Sequence, residues 1–220
     1  MKNPLRKRLP RELKGELGKY LIVFILMVAS IGFVSGFLVA DNSMLIAYNE
    51  GFEKYNIEDG NFRTAEQIHK TQREEIEALG VKLYDNYYVE EPLDNGSTMR
   101  FFKNRQQVDK VCLMKGELPA GTGEIAIDRM YADNNKLSVG DTLKSGKKAW
   151  KITGLVALSD YSALFQNNND TMFDSVKFGV AIVTDKDFEA LNQVKLQYNY
   201  AWVYDKKPET EKKEKKMAEN

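Results

Sequence analysis

Residues 20 to 40, YLIVFILMVASIGFVSGFLVA, form a run of twenty-one positions without one charged side chain. As an α-helix the run would be about 31 Å long, close to the hydrocarbon thickness of a bilayer. It is apolar on every side, so it lacks the polar stripe of a helix lying on a soluble core. It also exceeds the roughly 7–15 apolar residues of a secretion signal. A cut after Ala40 would put the bulky Leu38 third from the cleavage point. The run is therefore expected to be a retained transmembrane helix over 20–40. Gly32, Ser35 and Gly36 lie at near-helical spacing, which either lets a second helix approach closely or reflects the ordinary small-residue content of spans.

Charge sets the orientation. Residues 1–19 carry Lys2, Arg6, Lys7, Arg8, Arg11, Lys14 and Lys19 against Glu12 and Glu16. Short basic loops stay in the cytoplasm, so 1–19 reads as a cytoplasmic basic amphipathic segment and 41–205 as an extracytoplasmic domain. That outer stretch holds nineteen Lys/Arg against twenty-six Asp/Glu, and the formal net charge of zero conceals a basic inner end and an acidic outer part. An acidic surface excludes nucleic acid as a partner, because phosphate binding needs concentrated positive charge. Residues 206–220 read as a charged, helix-prone tail.

The outer stretch of about 165 residues is the size of one ordinary domain or two small ones. Met44, Leu45, Tyr48, Phe52 and Tyr55 recur at spacings of three and four, so the membrane helix should continue outward for several turns. NFRTA reads as a short strand. TAEQIHKTQREEIEALG reads as a helix with Thr64 as N-cap, Ile68, Ile76 and Leu79 on one face, and Gly80 as its stop. VKLYDNYYVEEP and STMRFFKN flank Asn95-Gly96 and predict a β-hairpin. Further strands are expected at KVCLM, GEIAID, DTLKS, AWKITGLVAL, KFGVAIV and QYNYAWVY, with short helices at DRMYADNN, SDYSALF and DKDFEALNQ. The mixture is an α+β, sheet-rich domain on a largely antiparallel sheet.

Catalytic chemistry has little to build on. His69 is the one histidine, so a histidine-based metal set or relay triad cannot be assembled, and it reads as part of a solvated helix face. Cys112 has no partner for an internal disulfide and reads as a strand residue. SGKKAW lacks the upstream glycine of a phosphate-binding loop and reads as a polar turn. NNNDTMFDS lacks the glycine of a calcium loop. Asn95-Gly-Ser and Asn169-Asp-Thr match glycosylation sequons, as such short patterns do by chance. No catalytic, cofactor-binding or metal residue is assigned, no cofactor is expected, and the chain is not expected to be an enzyme.

One stretch carries a resemblance. Residues 113–158 contain Gly116-Glu-Leu-Pro119, Glu124-Ile-Ala-Ile-Asp128, Leu137-Ser-Val-Gly-Asp141 and Ile152-Thr-Gly-Leu-Val156 in that order. This succession resembles the extracytoplasmic core domain of the FtsX-like (MacB-like) ABC transporter permeases. There a G-x-x-P turn leads to a strand, then a short helix, an L-x-V-G-D turn and a hairpin. PRELKGELGKYLIVFILMVASIGFVSGF is similar to the first membrane segment of that family, and YNEGFEKYNIEDGNFRTAEQI to the segment leading into the outer domain of its longer members.

The resemblance implies the N-terminal part of a bacterial cell-membrane permease. It would work with a cytoplasmic ABC ATPase and a second permease copy, and couple helix movement to the outer domain for export or mechanotransmission. Such permeases carry at least three further spans, so the chain reads as a fragment or truncated product, with its transported or regulated substrate open. Other readings of the same composition are a single-span sensor or receptor ectodomain and a membrane-anchored binding protein. Gly140 is expected at positive φ, and Gly154 at a bulge or close backbone approach.

Overall fold

The computed structural model describes residues 14–207 except 162, 168 and 192, so expectations for 1–13 and for 208–220 of the tail lie outside the described residues. The chain divides into two units, Met1–Gly51 and Phe52–Asn220. Helix α1 (Leu17–Tyr55) continues past the apolar run, as the spacing of its outer apolar residues predicts. Its segment Leu17–Asp41 is long and apolar enough to cross a membrane, and none of it is buried against protein. Within it the hydroxyl of Ser30 donates to the Leu26 carbonyl at 2.8 Å, which satisfies a polar group that lipid could not.

The second unit runs β1 (Gly60–Thr64), α2 (Lys70–Glu77), β2 (Val81–Asp85), β3 (Tyr88–Pro92), β4 (Thr98–Lys103), β5 (Cys112–Gly116), β6 (Glu124–Asp128), α3 (Arg129–Asn134), β7 (Thr142–Ser145), β8 (Lys148–Ala157), β9 (Phe178–Val183), α4 (Asp185–Glu189), a 3-10 turn (Gln193–Lys195) and β10 (Leu196–Tyr204). The strands form one sheet in the order β1-β10-β3-β4-β9-β6-β8-β5, with β2 also on β10 and β7 also on β8. The β4–β9 and β6–β8 pairings are parallel and the other described pairings are antiparallel. The α+β reading holds.

Burial explains the order. Strand β9 is buried at every position, which is why FGVAIV is continuously apolar rather than alternating. Trp150, Phe101, Met99, Ile125, Ile127 and Ile152 pack with it in the core. Helices α3 and α4 begin where strand ends meet capping residues. Asp128 accepts from the amides of Met130 and Tyr131 at 2.7 and 3.1 Å, and Thr184 accepts from Asp187 at 3.2 Å. The capped helices then deliver Tyr131, Ala132 and Phe188 to the core.

Three local expectations are corrected. Thr64 ends β1, with its hydroxyl on the Glu66 carbonyl at 2.7 Å; α2 starts instead at Lys70 with His69 as N-cap, where the Gln72 side chain accepts from the His69 amide at 2.8 Å. No residue of α2 is fully buried: of the predicted apolar face Ile68 and Ile76 are half-buried, while Leu79 beyond the helix is 58% exposed, so the face covers the sheet only in part. VKLYDNYYVEEP is two strands: β2 and β3 lie in one register along β10, interrupted at Asn86–Tyr87, after which β3 turns to pair with β4. SDYSALF is not helical among its described residues. Tyr161 and Leu164 are drawn inward, to Arg100 and to the core, and the chain turns there instead.

The two glycine expectations hold. Gly140 has φ 102, and its amide donates to the Ile152 carbonyl at 2.8 Å. Gly154 lies beside a register shift between β6 and β8, with a neighbouring backbone very close. Nothing lies within 4 Å of a side chain added at Gly140, so Gly140→Val acts through backbone strain alone. Its expected cost is about 1–3 kcal/mol. His69→Ala, on an exposed cap, should stay within about 0.5 kcal/mol. Denaturant melts of the two variants, followed by tryptophan fluorescence, would check the ranking; equal costs would contradict it.

Candidate functional site

A densely hydrogen-bonded polar region of the second unit begins where α1 ends. Asn56, at φ 47, leaves the helix in the left-handed conformation. Its amide donates to Glu53 O at 3.4 Å and that of Ile57 to Phe52 O at 3.2 Å, the paired bonds of a Schellman cap. Asparagine tolerates that conformation better than most residues, and this local property lets the chain turn sharply after Tyr55.

The segment that follows is fastened on two sides. The loop after β4 reaches it first: the Asn56 amide side chain donates to Gln107 O at 2.7 Å, Asp109 N to Asn56 O at 3.0 Å, and Lys110 N to Tyr55 O at 2.8 Å. The Tyr55 hydroxyl donates to Cys112 Sγ at 2.9 Å, and Glu58 N to Asp109 Oδ1 at 3.0 Å. From the other side, Asp59 N donates to Trp202 O at 2.9 Å, and Tyr204 N to Asp59 Oδ2 at 2.9 Å. Residues 55–59 are thus held in a clasp between the 105–112 loop and the end of β10.

A charged cluster sits under the clasp. Asp109 is fully buried and itself at φ 46. The Arg105 guanidinium lies 2.8 Å from Asp160 and 3.9 Å from Asp109, and stacks 4.5 Å from the Phe102 ring centroid. The Glu58 carboxyl joins from above, where the Asn61 side chain donates to it. Burial pushes Glu58 up to about 8, with further upward pressure from the Asp109 charge and their mutual hydrogen bond, and relief from Asn61. Burial also raises Asp109, followed by the charge of Asp160. Arg105 pays a burial penalty that Asp160 and Asp109 outweigh, so its pKa is held above the ordinary guanidinium value.

Beside the cluster lies a cleft of about 500 Å³ whose lining includes Arg63, Tyr88, Arg100, Asp160, Tyr161 and Asn199. Arg100 at its base is committed: it donates to Glu90 at 2.8 Å, to the Tyr161 hydroxyl at 2.5 Å and to Gln166 O at 2.7 Å, and lies 4.1 Å from the Tyr88 ring centroid. Asp160 belongs to both cleft and cluster, while its neighbour Tyr161 holds Arg100.

Apart from Cys112, the residues singled out in the sequence lie elsewhere, and they do not converge. His69 is an exposed cap. Cys112 is half-buried at the head of β5, and its contact with Tyr55 belongs to the clasp. Gly146-Lys147 is the β7–β8 turn, its amide on Asp94 at 2.9 Å. Asn95 spans its own turn: its side chain accepts from Ser97 N at 3.1 Å and donates to the Tyr131 hydroxyl at 3.0 Å. The described part of NNNDTMFDS is turn and bend. Among the described residues no three His, Cys, Asp or Glu side chains are placed to hold a metal ion. Glu58, Arg105 and Asp109 stand in polar stretches like any solvated ones, and Asp160 in SDYSALF, which reads as a helix start; the lone readable hint is Asn56 closing a long helix.

No family model matches the chain, and no curated protein matches it. Among solved structures, it is similar to the extracellular domain of YknZ, a noncanonic ABC-type transporter from Gram-positive bacteria. The identity is 12%, with 71% of this chain and 86% of that one covered at a TM-score of 0.34. It is also similar to the periplasmic region of MacB from Actinobacillus actinomycetemcomitans. That identity is 11%, with 63% of this chain and 64% of that one covered, again at a TM-score of 0.34.

Proposed function

We propose that this chain is the N-terminal part of a permease subunit of the FtsX-like (MacB-like) type, anchored in the bacterial cell membrane by residues 20–40 with residues 41–205 outside. Its outer domain takes up movement of the membrane helices, driven by a cytoplasmic ABC ATPase, and a second permease copy completes the assembly. The chain contributes no catalytic step of its own. One observation carries the reading: the four resembling motifs fold in the succession that the resemblance implies. Gly116, at φ 76, ends β5 and opens the connection through Pro119, Glu124–Asp128 is β6, α3 is the short helix, Gly140-Asp141 is the reversal, and β7–β8 is the hairpin. The clasp suits the mechanical role, because it makes the last turn of α1 an integral part of the outer unit.

Topology and chemistry test the proposal together. Lys147 lies exposed in the β7–β8 turn, so K147C in a C112S background should react with a membrane-impermeant maleimide in intact cells. The purified chain alone should hydrolyse no ATP. Labelling only after lysis, or ATPase activity without a partner, would overturn the reading.

A further inference from the structure

The cluster under the clasp is out of electrical balance. Glu58, Asp109 and Asp160 act on one another, and the guanidinium of Arg105 pairs with Asp160 and Asp109. The side chains of Arg105 and Asp160 are 7% and 9% exposed, and that of Asp109 is wholly buried. Glu58 Oε2, Asp109 Oδ2 and Asp160 Oδ1 are buried without a hydrogen-bond donor, and Arg105 Nε and Nη2 without an acceptor. Yet the Glu58 and Asp109 carboxyls stand within hydrogen-bond reach of each other. Two facing carboxylates can only repel. One proton makes one of them a donor and the other an acceptor.

We propose that Glu58 and Asp109 bind a single proton between them at neutral pH, and that this proton keeps the clasp shut. Its loss to solvent at alkaline pH leaves three carboxylates against one guanidinium and frees residues 55–59 from the 105–112 loop. Asn61, Arg105 and Asp160 act on the pair directly, and other polar and charged groups surround the clasp. The helix end brings Tyr55, on Cys112; β1 brings Asn61; the loop after β4 brings Arg105 and Lys110; the turn after β8 brings Asp160 and Tyr161. The end of β10 brings Tyr204 and Lys207, the latter 3.6 Å from Asp59. Glu58, raised to about 8 by burial and then by Asp109, places the transition. For a raised carboxyl the folded state holds the proton more tightly than the unfolded chain. The stabilisation is complete below the ordinary value of 4.5, declines above it, and is gone once pH has risen through about 8.

Hydrogen exchange on the full, unsubstituted chain in detergent micelles tests this. The amides of Asp109 and Lys110 bond to Asn56 and Tyr55, so they report the clasp directly. Corrected for intrinsic base catalysis, their protection should fall about tenfold or more between about pH 6 and about pH 9, the effect of one pKa unit or more, while amides of β9 hold theirs. E58Q, whose neutral amide can donate to Asp109, should flatten that response. The infrared spectrum at about pH 7 should contain a protonated-carboxyl stretch that E58Q removes and that disappears by about pH 9. Constant protection up to about pH 9, a full pH response in E58Q, or no protonated-carboxyl band at about pH 7 would each overturn the proposal. Should E58Q fail to fold, the band and the exchange profile of the unsubstituted pair still decide it.

Discussion

Arg105→Leu is expected to destabilise the outer unit by about 3–5 kcal/mol, as removal of one partner from a buried ion pair does. Leucine fills much of the same space against Phe102, so lost packing is the smaller part of the effect. The larger part is what stays behind. Asp160 loses its partner at 2.8 Å and Asp109 its partner at 3.9 Å, and both carboxylates remain buried with Glu58 close by. Trp150 and Trp202 are the two tryptophans of the chain, and both lie in the outer unit. Their fluorescence in a denaturant melt therefore reports this unit alone. The cost should shrink as pH falls and Asp109, whose carboxyl burial already raises, gains a proton. A loss below about 1 kcal/mol, the range of surface ion pairs, would mean that the cluster is solvated.

Gly154→Val should cost about 3 kcal/mol or more, at or beyond the upper end for overpacked cores. A Cβ at this position would lie 2.4 Å from the Glu117 carbonyl oxygen and 3.1 Å from its carbon. These are backbone atoms beside β5, which pairs Gly116 with Gly154, and they cannot swing away as a flexible side chain can. Relief requires β5 to separate from β8, at the loss of ladder hydrogen bonds at the sheet edge. Even Gly154→Ala meets the same carbonyl and should retain most of the effect. The melting order expected is Gly154→Val below Gly140→Val, with His69→Ala at the parent value. A Gly154→Val variant as stable as the parent would show that β5 is free to move.

Whatever depends on neighbours in sequence was legible. The uninterrupted apolar run required a long apolar helix, and the three-four spacing of Phe52 and Tyr55 carried it outward. Alternating or continuously apolar runs marked the strands, Asn95-Gly96 marked the hairpin turn, and glycines marked the places where backbone geometry excludes a side chain. The limits of α2 were not legible, because Thr64 and His69 both begin plausible helices and only pairing of β1 with β10 claims Thr64 for the sheet. The same holds for the break at Asn86–Tyr87, which exists because β10 takes one half of the run and β4 shares the other.

The sequence by itself determined one apolar helix, an α+β domain after it, and the glycine-marked turns at Gly96 and Gly140, since each follows from side-chain periodicity or local backbone preference. Only the tertiary structure decided the clasp and the charge cluster beneath it. Glu58 and Asp160 lie 102 positions apart, with Arg105 and Asp109 between them, and a carboxylate carries no local mark of its future burial. What makes these four unlike other charged residues is the low-dielectric space they share once the sheet has closed, where one guanidinium cannot balance three acids.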